Sequence, residues 1–391
     1  MSSIFISIAS YCDPLLIHTI QDAIQKAEKP ENLHFGVVEQ QVHEKRLTLA
    51  NETARQMVRY IGVAPEESRG VCWARSLANT LYEGEEFFLQ IDAHMLFEQD
   101  WDTQFIRQLG ICQRTNPKSL LTCYPNHFEW VDGIPTAKPV TQKVLAHVLK
   151  EPAALEADNP TLLFQAVPVE VDHPVQGFHL AGGCLFGPGR FLSEVPYDPR
   201  LYFHGEEQAL AVRAFTHGWD IWHPCALPIY HFYDLEPQAN KREKHWSASS
   251  NEKRFRKYWE FEEASKKRLI ALLYNHEDLG IYGLGHARSL AEYAAFSGID
   301  YEKRSLGDRA RSGPWSFPVT IPSTKPQGKD MNKIMIDNKE YELDRLSPQA
   351  KADLEMLLAT DQKILELQKE LAIAQTARQA YAASLQTKLP A

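Results

Sequence analysis

The amino-acid sequence predicts an α/β fold, with helices on both faces of a largely buried sheet. In the first 125 residues, short apolar runs alternate with amphipathic stretches, which is the strand-helix-strand order of such folds. The apolar run at 87–91 ends abruptly in polar side chains, and open α/β sheets hold their ligands at the carboxyl ends of strands. With 391 residues, of which 44% are hydrophobic, the chain is long enough to bury at least one large core.

The individual elements follow from the spacing of apolar residues. Short apolar runs between turn signals predict strands, and apolar positions three or four apart predict helices. We expect strands at 4–9, 33–39, 87–91, 119–124, 220–223 and 229–232. We expect helices at 15–26, 72–82, 101–109 and 208–216.

Three further segments have less regular patterns. Residues 126–175 are rich in proline and lack a steady period, which predicts an excursion containing a hairpin. Residues 241–268 mix charges of both signs with aromatic residues, which predicts an exposed amphipathic helix with an aromatic inner face. Its basic cluster at 253–257 leaves open a face directed at phosphates or a membrane surface. Residues 281–297 predict a turn followed by a helix.

The composition divides the chain into three parts. Residues 1–305 are predicted to form the main domain, and 306–330 are a linker because glycine and proline recur there. Residues 331–391 are predicted to form a small hairpin, which turns around Asp337 and Asn338, followed by a helical tail. In the tail, Leu357, Ile364 and Leu371 repeat every seven residues, typical of a short coiled coil or of a helix packed on a partner. This tail is the predicted route to a homo-oligomer.

Charge and cysteine content exclude several classes of protein. The net charge of −9 argues against a general nucleic-acid binder. The first residues have no basic region and no long apolar core, so no secretory signal is expected, and no apolar run predicts a transmembrane helix. The six cysteines are scattered without CxxC pairing, typical of buried thiols in a cytosolic protein. We therefore expect a cytoplasmic protein, with peripheral membrane contact as the remaining option.

The apolar run at 87–91 is followed by a pair of candidate metal ligands. Asp92 and His94 are two residues apart, so in an extended segment their side chains point the same way. A carboxylate and an imidazole together bind Mn²⁺ or a similar ion that carries a diphosphate. The short motif alone also fits a helix-capping Asp beside a solvent-exposed His. Arg75 on the preceding helix and His231 at the end of a later strand favour the metal site.

Ordered blocks of the sequence resemble a known family. The blocks are Ser7–Pro14, Arg69–Arg75, Gln90–Met95, Ala181–Gly183, His204–Glu207, His231–Tyr233 and Tyr282–Arg288. Over roughly residues 3–305 they resemble the N-acetylglucosaminyltransferases of glycosyltransferase family 60. In outline they are also similar to the polypeptide N-acetylgalactosaminyltransferases, which use the same Asp-x-His with a distant His. The family form of the motif has Ser where this chain has Ala93; that side chain faces away, so we expect metal binding to survive.

The resemblance implies a GT-A fold, in which a Rossmann-like mixed sheet has flanking helices. It also implies Mn²⁺ or Mg²⁺, a UDP-sugar donor and retention of anomeric configuration. Family members transfer N-acetylglucosamine to hydroxyproline of a ubiquitin-ligase adaptor in the cytoplasm of protists. For this chain the implied acceptor is a glycan or a protein hydroxyproline; the tail resembles modules of bacterial proteins and favours a glycan.

The resemblance also implies roles for particular residues. The metal ligands would be Asp92, His94 and His231. The residues that hold uracil, ribose and the rest of the donor would be Ser7, Ala9, Ser10, Glu39, Arg75, Gly182 and Gly183. The two glycines would let the backbone approach the sugar, since no Cβ blocks the space. Glu206 and Glu207 would bind donor-sugar or acceptor hydroxyls.

Two mechanisms fit these residues. A glutamate of the 206–207 pair would act as nucleophile by analogy with retaining glycosidases. We favour same-face transfer, in which the departing phosphate oxygen takes the acceptor proton and the glutamate is a sugar ligand. In either mechanism the metal at Asp92 stabilises the leaving diphosphate.

Three other functions compete with this interpretation. A transferase of the same fold using UDP-galactose or UDP-N-acetylgalactosamine in surface polysaccharide synthesis has the same sequence features, because sugar choice depends on pocket shape. A metal-dependent hydrolase using His204, Glu206 and His231 is disfavoured because HExxH is absent. A non-catalytic sugar-binding scaffold is disfavoured because all three metal ligands are present.

Overall fold

The computed structural model describes residues 2–48, 52–138, 144–169, 171–233, 242–313, 333–336 and 339–342. The chain divides into two compact units, Met1–Phe317 and Pro318–Ala391. Within the described ranges, no helix has both the length and the apolar character needed to cross a membrane.

The first unit alternates strands and helices, as the sequence predicts. Its strands are β1 Ile4–Tyr11, β2 Leu33–Gln40, β3 Val58–Val63, β4 Phe87–Ile91, β5 Met95–Phe97, β6 Ser119–Thr122, β7 Asn126–Val131, β8 Ile134–Ala137, β9 Val144–Leu149, β10 Phe164–Val169, β11 Val175–Gly177, β12 Cys184–Pro188, β13 Asp220–His223, β14 Ile229–His231, β15 Ile299–Asp300 and β16 Ser305–Leu306. Its helices are α1 Leu16–Lys26, α2 Glu52–Gln56, α3 Val71–Asn79, α4 Trp101–Gln113, α5 Phe191–Glu194, α6 Glu206–Thr216, α7 Ala248–Lys253, α8 Tyr258–Leu273, α9 Leu290–Ser297 and α10 Asp308–Ser312.

Eight strands form one mixed sheet in the order β11-β13-β6-β12-β4-β1-β2-β3. Strands β3, β2, β1 and β4 run parallel, whereas β12 is antiparallel to both of its neighbours, β4 and β6. Ile4, Ile6 and Ile8 of β1 lie in one core cluster with Leu16 and Ile20 of α1, and α3 packs on β1 as well. Burial on both faces explains the nearly unbroken apolar sequence of β1. The predicted α/β fold with a mixed sheet and flanking helices is confirmed.

A smaller sheet beside the main one has the order β5-β14-β7-β8. Strand β14 is antiparallel to β5, with His231 opposite Met95. This pairing joins two segments that are 136 positions apart, since 231 − 95 = 136. The small sheet therefore brings a late histidine to the end of β4.

Some predicted elements differ from the structure. The excursion at 126–175 contains two hairpins, β7-β8 and β9-β10, instead of one. The single helix expected at 241–268 is wrong, because the chain is extended at Arg254 between α7 and α8. The Arg254 guanidinium is buried and donates hydrogen bonds to the carbonyls of Pro65 and His245 and to the hydroxyl of Tyr11. These partners are distant in the sequence, so the local pattern predicts a solvated charge where the structure has a buried one.

Part of the second unit is also described. Strands β17 Lys333–Ile336 and β18 Lys339–Glu342 pair antiparallel, as the predicted hairpin requires. Of the predicted linker at 306–330, residues Asp308–Ser312 form α10. The rest of that linker from 314 and the predicted helical tail lie outside the described residues.

Candidate metal centre and the neighbouring cavity

The three predicted metal ligands lie together. One ligand atom from each of Asp92, His94 and His231 falls within 4.8 Å of the others. Asp92 directly follows β4, His94 precedes β5, and His231 ends β14, which pairs with β5. The cluster thus lies at the carboxyl end of a parallel strand, where the sequence pattern places it.

Hydrogen bonds orient the ligands toward one another. The Asp13 carboxylate lies 2.8 Å from Nδ1 of His94 and holds the proton on that nitrogen, which leaves Nε2 as a lone-pair donor. Nε2 of His94 lies 2.8 Å from Nε2 of His231, which in turn lies 3.2 Å from Oδ2 of Asp92. Two imidazole nitrogens and one carboxylate oxygen that converge in this way are a suitable donor set for a divalent cation.

The ionisation of these groups also suits a metal ion. Burial alone would raise the pKa of Asp92, but the hydrogen bond to His231 and the charge of Arg75 outweigh it and hold the pKa well below its usual range. Burial lowers the pKa of His231 to about 4. At neutral pH the pair is therefore a carboxylate and a neutral imidazole, the forms in which these side chains coordinate metals.

Arg75 of α3 is a buried cation that joins Asp92 to Glu206. Its side chain donates to Oδ1 of Asp92 at 2.9 Å, to Oε1 of Glu206 at 2.6 Å and to the Tyr197 hydroxyl at 3.2 Å. Only 3% of Arg75 is exposed. These contacts fix the Asp92 carboxylate, so Arg75 acts on the metal cluster through Asp92.

The two acidic residues at the start of α6 have different surroundings. Glu206 is buried; its second oxygen accepts a hydrogen bond from Sγ of Cys72, and burial, opposed by Arg75, raises its pKa to about 7. Glu207 accepts from the backbone N–H of Gly182 at 2.6 Å and from the Tyr124 hydroxyl at 3.2 Å. The Glu207 side chain remains 29% exposed. Of the pair, only Glu207 is open to a ligand.

Gly182 and Gly183 are packed against the charged side chains of this site. Strand β12 pairs with β4 so that Cys184 lies opposite Ile91, which brings Gly183 beside Asp92. A Cβ at position 183 would lie 2.7 Å from Oδ2 of Asp92, and one at 182 would overlap the Arg75 guanidinium. The space that a side chain would need is thus filled by Asp92 and Arg75.

Gly183→Ala is expected to lower Mn²⁺ affinity about tenfold or more, because the new methyl group displaces the Asp92 carboxylate. Isothermal titration with Mn²⁺ measures the affinity. Gly110→Ala in α4 is the matched control, since a Cβ there meets nothing within 4 Å. Equal affinities for the two variants would contradict the close packing.

A cavity of about 460 Å³ opens beside the metal cluster. One wall is formed by the ends of β1 and β2 and by the start of α3, and the metal ligands form its corner. The cavity is also lined by Tyr202, Phe203 and Trp246 and by the cations Arg242 and Lys244. Because Asp13 and Glu243 line the cavity as well, it combines aromatic surface with charges of both signs next to the cluster.

The four residues predicted to hold uracil and ribose have separate positions. Ala9 lines the cavity beside the metal cluster. Glu39 lines a neighbouring cavity of about 730 Å³ and accepts a hydrogen bond from the Tyr60 hydroxyl at 2.7 Å. Ser7 is buried and donates to Asn79 at 3.0 Å, and Ser10 is also buried.

Several residues of the site were not predicted from the sequence. Asp13 could have been predicted, because it follows the end of strand β1 just as Asp92 follows the end of β4. Tyr124 and Tyr197 carry no such signal, because their partners Glu207 and Arg75 are brought to them by the strand order of the sheet.

Behind Glu207 lies a buried histidine cluster, formed by His147, His179 and His223. The His147 ring packs edge-on against the other two, at centroid distances of 5.4 Å and 4.7 Å. Burial lowers the pKa values of all three, that of His223 to about 4. The neutral rings thus form an uncharged support beneath Glu207, and Nε2 of His179 lies 3.5 Å from its carboxylate.

The free energy of unfolding is expected to fall as pH decreases from about 6.5 to about 4, because the unfolded histidines take up protons that the buried ones do not. For His223 the loss between pH 7 and pH 5 is about 2 kcal/mol. Urea unfolding at the two pH values measures it. His223→Asn should reduce the difference between the two pH values, whereas the control His286→Asn, at an exposed histidine, should not. An undiminished difference in His223→Asn would contradict the assignment.

The chain matches a family model and has distant similarity to solved structures. A family model described as glycosyltransferase (GlcNAc) matches residues 3–55 and 44–303. The crystal structure of GalNAc-T7 with UDP, GalNAc and Mn²⁺ is similar with 15% identity and a TM-score of 0.48, over 79% of this chain and 53% of that one. Crystalline TarS of S. aureus is similar with 12% identity and a TM-score of 0.37, over 60% and 37%. The chain thus spans about half of the first structure's length. No curated protein matches.

Proposed function

The chain belongs to the glycosyltransferase (GlcNAc) family, and from that premise we propose its reaction. The protein transfers N-acetylglucosamine from UDP-N-acetylglucosamine to a hydroxyl group, with retention of configuration and with the help of a divalent metal ion. The observation that carries the proposal is the convergence of Asp92, His94 and His231 at the corner of the 460 Å³ cavity.

The cavity has the size that a nucleotide-sugar donor requires, and it contains two cations. Its volume falls within the usual range of small-molecule sites. Arg242 and Lys244 supply positive charge on the wall of the cavity, which complements a diphosphate. Tyr11, at the end of β1, lines the cavity and offers an aromatic ring that a base can contact.

Mn²⁺ or Mg²⁺ would be held by Asp92, His94 and His231, and when bound it offsets the negative charge that grows on the departing diphosphate. Around it, the chain keeps the ligands fixed. Arg75 holds Asp92, and Asp13 holds His94. The ligand set is thus in place before a donor arrives, which lowers the cost of ordering it during the reaction.

The surroundings of the two glutamates favour same-face transfer over a glutamate nucleophile. Both oxygens of Glu206 are engaged, by Arg75 and by Cys72, and the residue is 5% exposed. Both oxygens of Glu207 accept hydrogen bonds as well, but that side chain is partly exposed and can accept from a sugar hydroxyl too. Glu207 is therefore the proposed ligand of the donor sugar or of the acceptor hydroxyl.

A panel of UDP-sugars tests this proposal through donor hydrolysis, which needs no acceptor. The full chain is incubated with Mn²⁺ and UDP-N-acetylglucosamine, UDP-galactose, UDP-N-acetylgalactosamine or UDP-glucose, and UDP release is measured. We expect the highest rate with UDP-N-acetylglucosamine and loss of the activity with EDTA. A faster rate with another UDP-sugar would identify that sugar nucleotide as the donor instead. If no donor released UDP, the proposed transferase activity would be refuted. A glycosyl adduct on Glu206 or Glu207 would contradict same-face transfer.

We further propose that the chain is of the family 60 type, that residues 1–305 form its transferase domain and that it acts in the cytoplasm. We also propose that it assembles into a homo-oligomer through the helical tail at 331–391. Truncation after residue 330 tests the assembly by light scattering. The expected mass per particle falls to that of one truncated chain. A particle that contains the same number of chains as the full-length protein would rule out assembly by the tail.

A further inference from the structure

A further cavity of about 300 Å³, here called the second cavity, adjoins the 460 Å³ cavity beside the metal cluster, here called the donor cavity. Tyr202 and Phe203 line both cavities. Phe203 is 39% exposed and Trp246 is 41% exposed, and their ring centroids lie 4.9 Å apart. Tyr202 and Phe203 therefore form the boundary between the two cavities, and Trp246 packs against Phe203 on the side of the donor cavity.

The second cavity is otherwise lined mostly by polar side chains. Asn159, His204, Glu262 and Lys266 contribute hydrogen-bond donors and acceptors. Nδ1 of His204 lies 3.5 Å from Oε1 of Glu262, yet 54% and 36% of these side chains remain exposed. The polar groups are thus available to a ligand without loss of a buried hydrogen bond.

This combination matches a pyranose ring. A pyranose presents C–H groups on its faces, which pack against the negatively charged face of an aromatic ring, and hydroxyl groups around its edge. The alternative ligand is a peptide, and an extended peptide binds by pairing with a free strand edge. Among the described residues, this cavity is lined by loops and by α8, so a saccharide suits it better.

We propose that the second cavity is the acceptor subsite and that it binds a sugar residue of a saccharide acceptor. This inference rests on the proposed transferase function. The two sites are linked because Tyr202 and Phe203 line both cavities and the next residue, His204, lines the second. An acceptor held at Phe203 therefore lies beside the donor cavity.

In the reaction, the acceptor oxygen forms a bond to C1 of the donor sugar. The bond from C1 to the diphosphate oxygen breaks, and that oxygen takes the acceptor proton. No further reactant is required. The contribution of the second cavity is to bring the acceptor hydroxyl to the donor, so its loss affects the acceptor KM and leaves donor hydrolysis unaffected.

The test compares donor hydrolysis with transfer. UDP-N-acetylglucosamine and Mn²⁺ are combined with p-nitrophenyl β-glycosides of glucose, galactose or N-acetylglucosamine, or with a hydroxyproline peptide, and products are identified by mass spectrometry. We expect saturable transfer to at least one glycoside. In the double variant His204→Ala/Glu262→Gln, whose side chains do not line the donor cavity, the acceptor KM should rise about tenfold or more. Its rate of UDP release without acceptor should stay near the unaltered rate.

Glu263→Gln is the matched control, because Glu263 is an exposed residue of the same helix that pairs with Lys267 outside the cavity. This variant should change neither the acceptor KM nor the rate of UDP release without acceptor. Three results would overturn the proposed acceptor subsite. They are transfer to the peptide alone, transfer to none of the acceptors while donor hydrolysis persists, and an unchanged acceptor KM in the double variant. Absence of donor hydrolysis in the unaltered protein would instead refute the transferase function itself, and the subsite with it.

Discussion

Replacing Asp92 with alanine is expected to lower the rate of UDP release about a thousandfold or more, the largest effect of any single change in this site. The variant loses a candidate metal ligand and one of the two acidic partners of the buried Arg75 at the same time. UDP release at saturating Mn²⁺ and donor measures the loss. Retention of most of the rate would refute the metal assignment.

Two milder variants separate the causes of that loss. Asp92→Asn keeps a hydrogen-bond acceptor for Arg75 but removes the negative charge that binds the cation, so turnover should remain low while the fold is preserved. Asp13→Asn leaves every ligand in place but weakens the orientation of His94 and the ion pair with Arg242, so Mn²⁺ affinity should fall about 10- to 100-fold. Asp13→Asn should therefore retain more activity than either Asp92 variant.

Arg75→Met is expected to destabilise the protein by about 3 kcal/mol, since removal of one partner leaves a buried acid without its cation. The cost depends on pH. Burial already raises the pKa of Glu206 to about 7, and without Arg75 this pKa rises further. The folded form then binds a proton that the unfolded form releases at about pH 4.5, so stability falls as pH increases through the neutral range.

The matched control is the double variant Arg75→Met/Glu206→Gln, which has no buried acid at position 206. Urea unfolding at pH 5.5 and pH 8 should show that this variant regains stability at the higher pH and loses most of the pH dependence of Arg75→Met. Turnover should stay low in both, because Asp92 has lost its partner. If Arg75→Met were as stable as the unaltered protein at pH 8, the role of Arg75 in stabilising the buried Glu206 would be contradicted.

The sequence predicts the parts of this site that depend on local pattern. Asp92 and His94 are visible because they end an apolar strand, and His231 because it ends another. The sequence does not show that these strands meet, since β5 has only three residues and its partner β14 is distant in the chain. The cluster itself was therefore implied by family resemblance before the structure brought its members together.

The remaining residues depend on tertiary packing. Glu206 and Glu207 are adjacent and chemically alike, but α6 turns one toward Arg75 and the other toward Gly182. Arg254 lies in a basic run with no local sign that its charge is buried. In both cases the side chain's partners come from distant segments, and a local pattern carries no information about them.

Anomalous scattering from manganese, in crystals of the full chain grown with Mn²⁺ and UDP, tests the metal site most directly. We predict one strong peak between Oδ2 of Asp92, Nε2 of His94 and Nε2 of His231, with the UDP diphosphate in the adjoining cavity beside it. Bound UDP without a peak between these three residues, or with the manganese held elsewhere, would contradict a metal-dependent transferase built on this cluster.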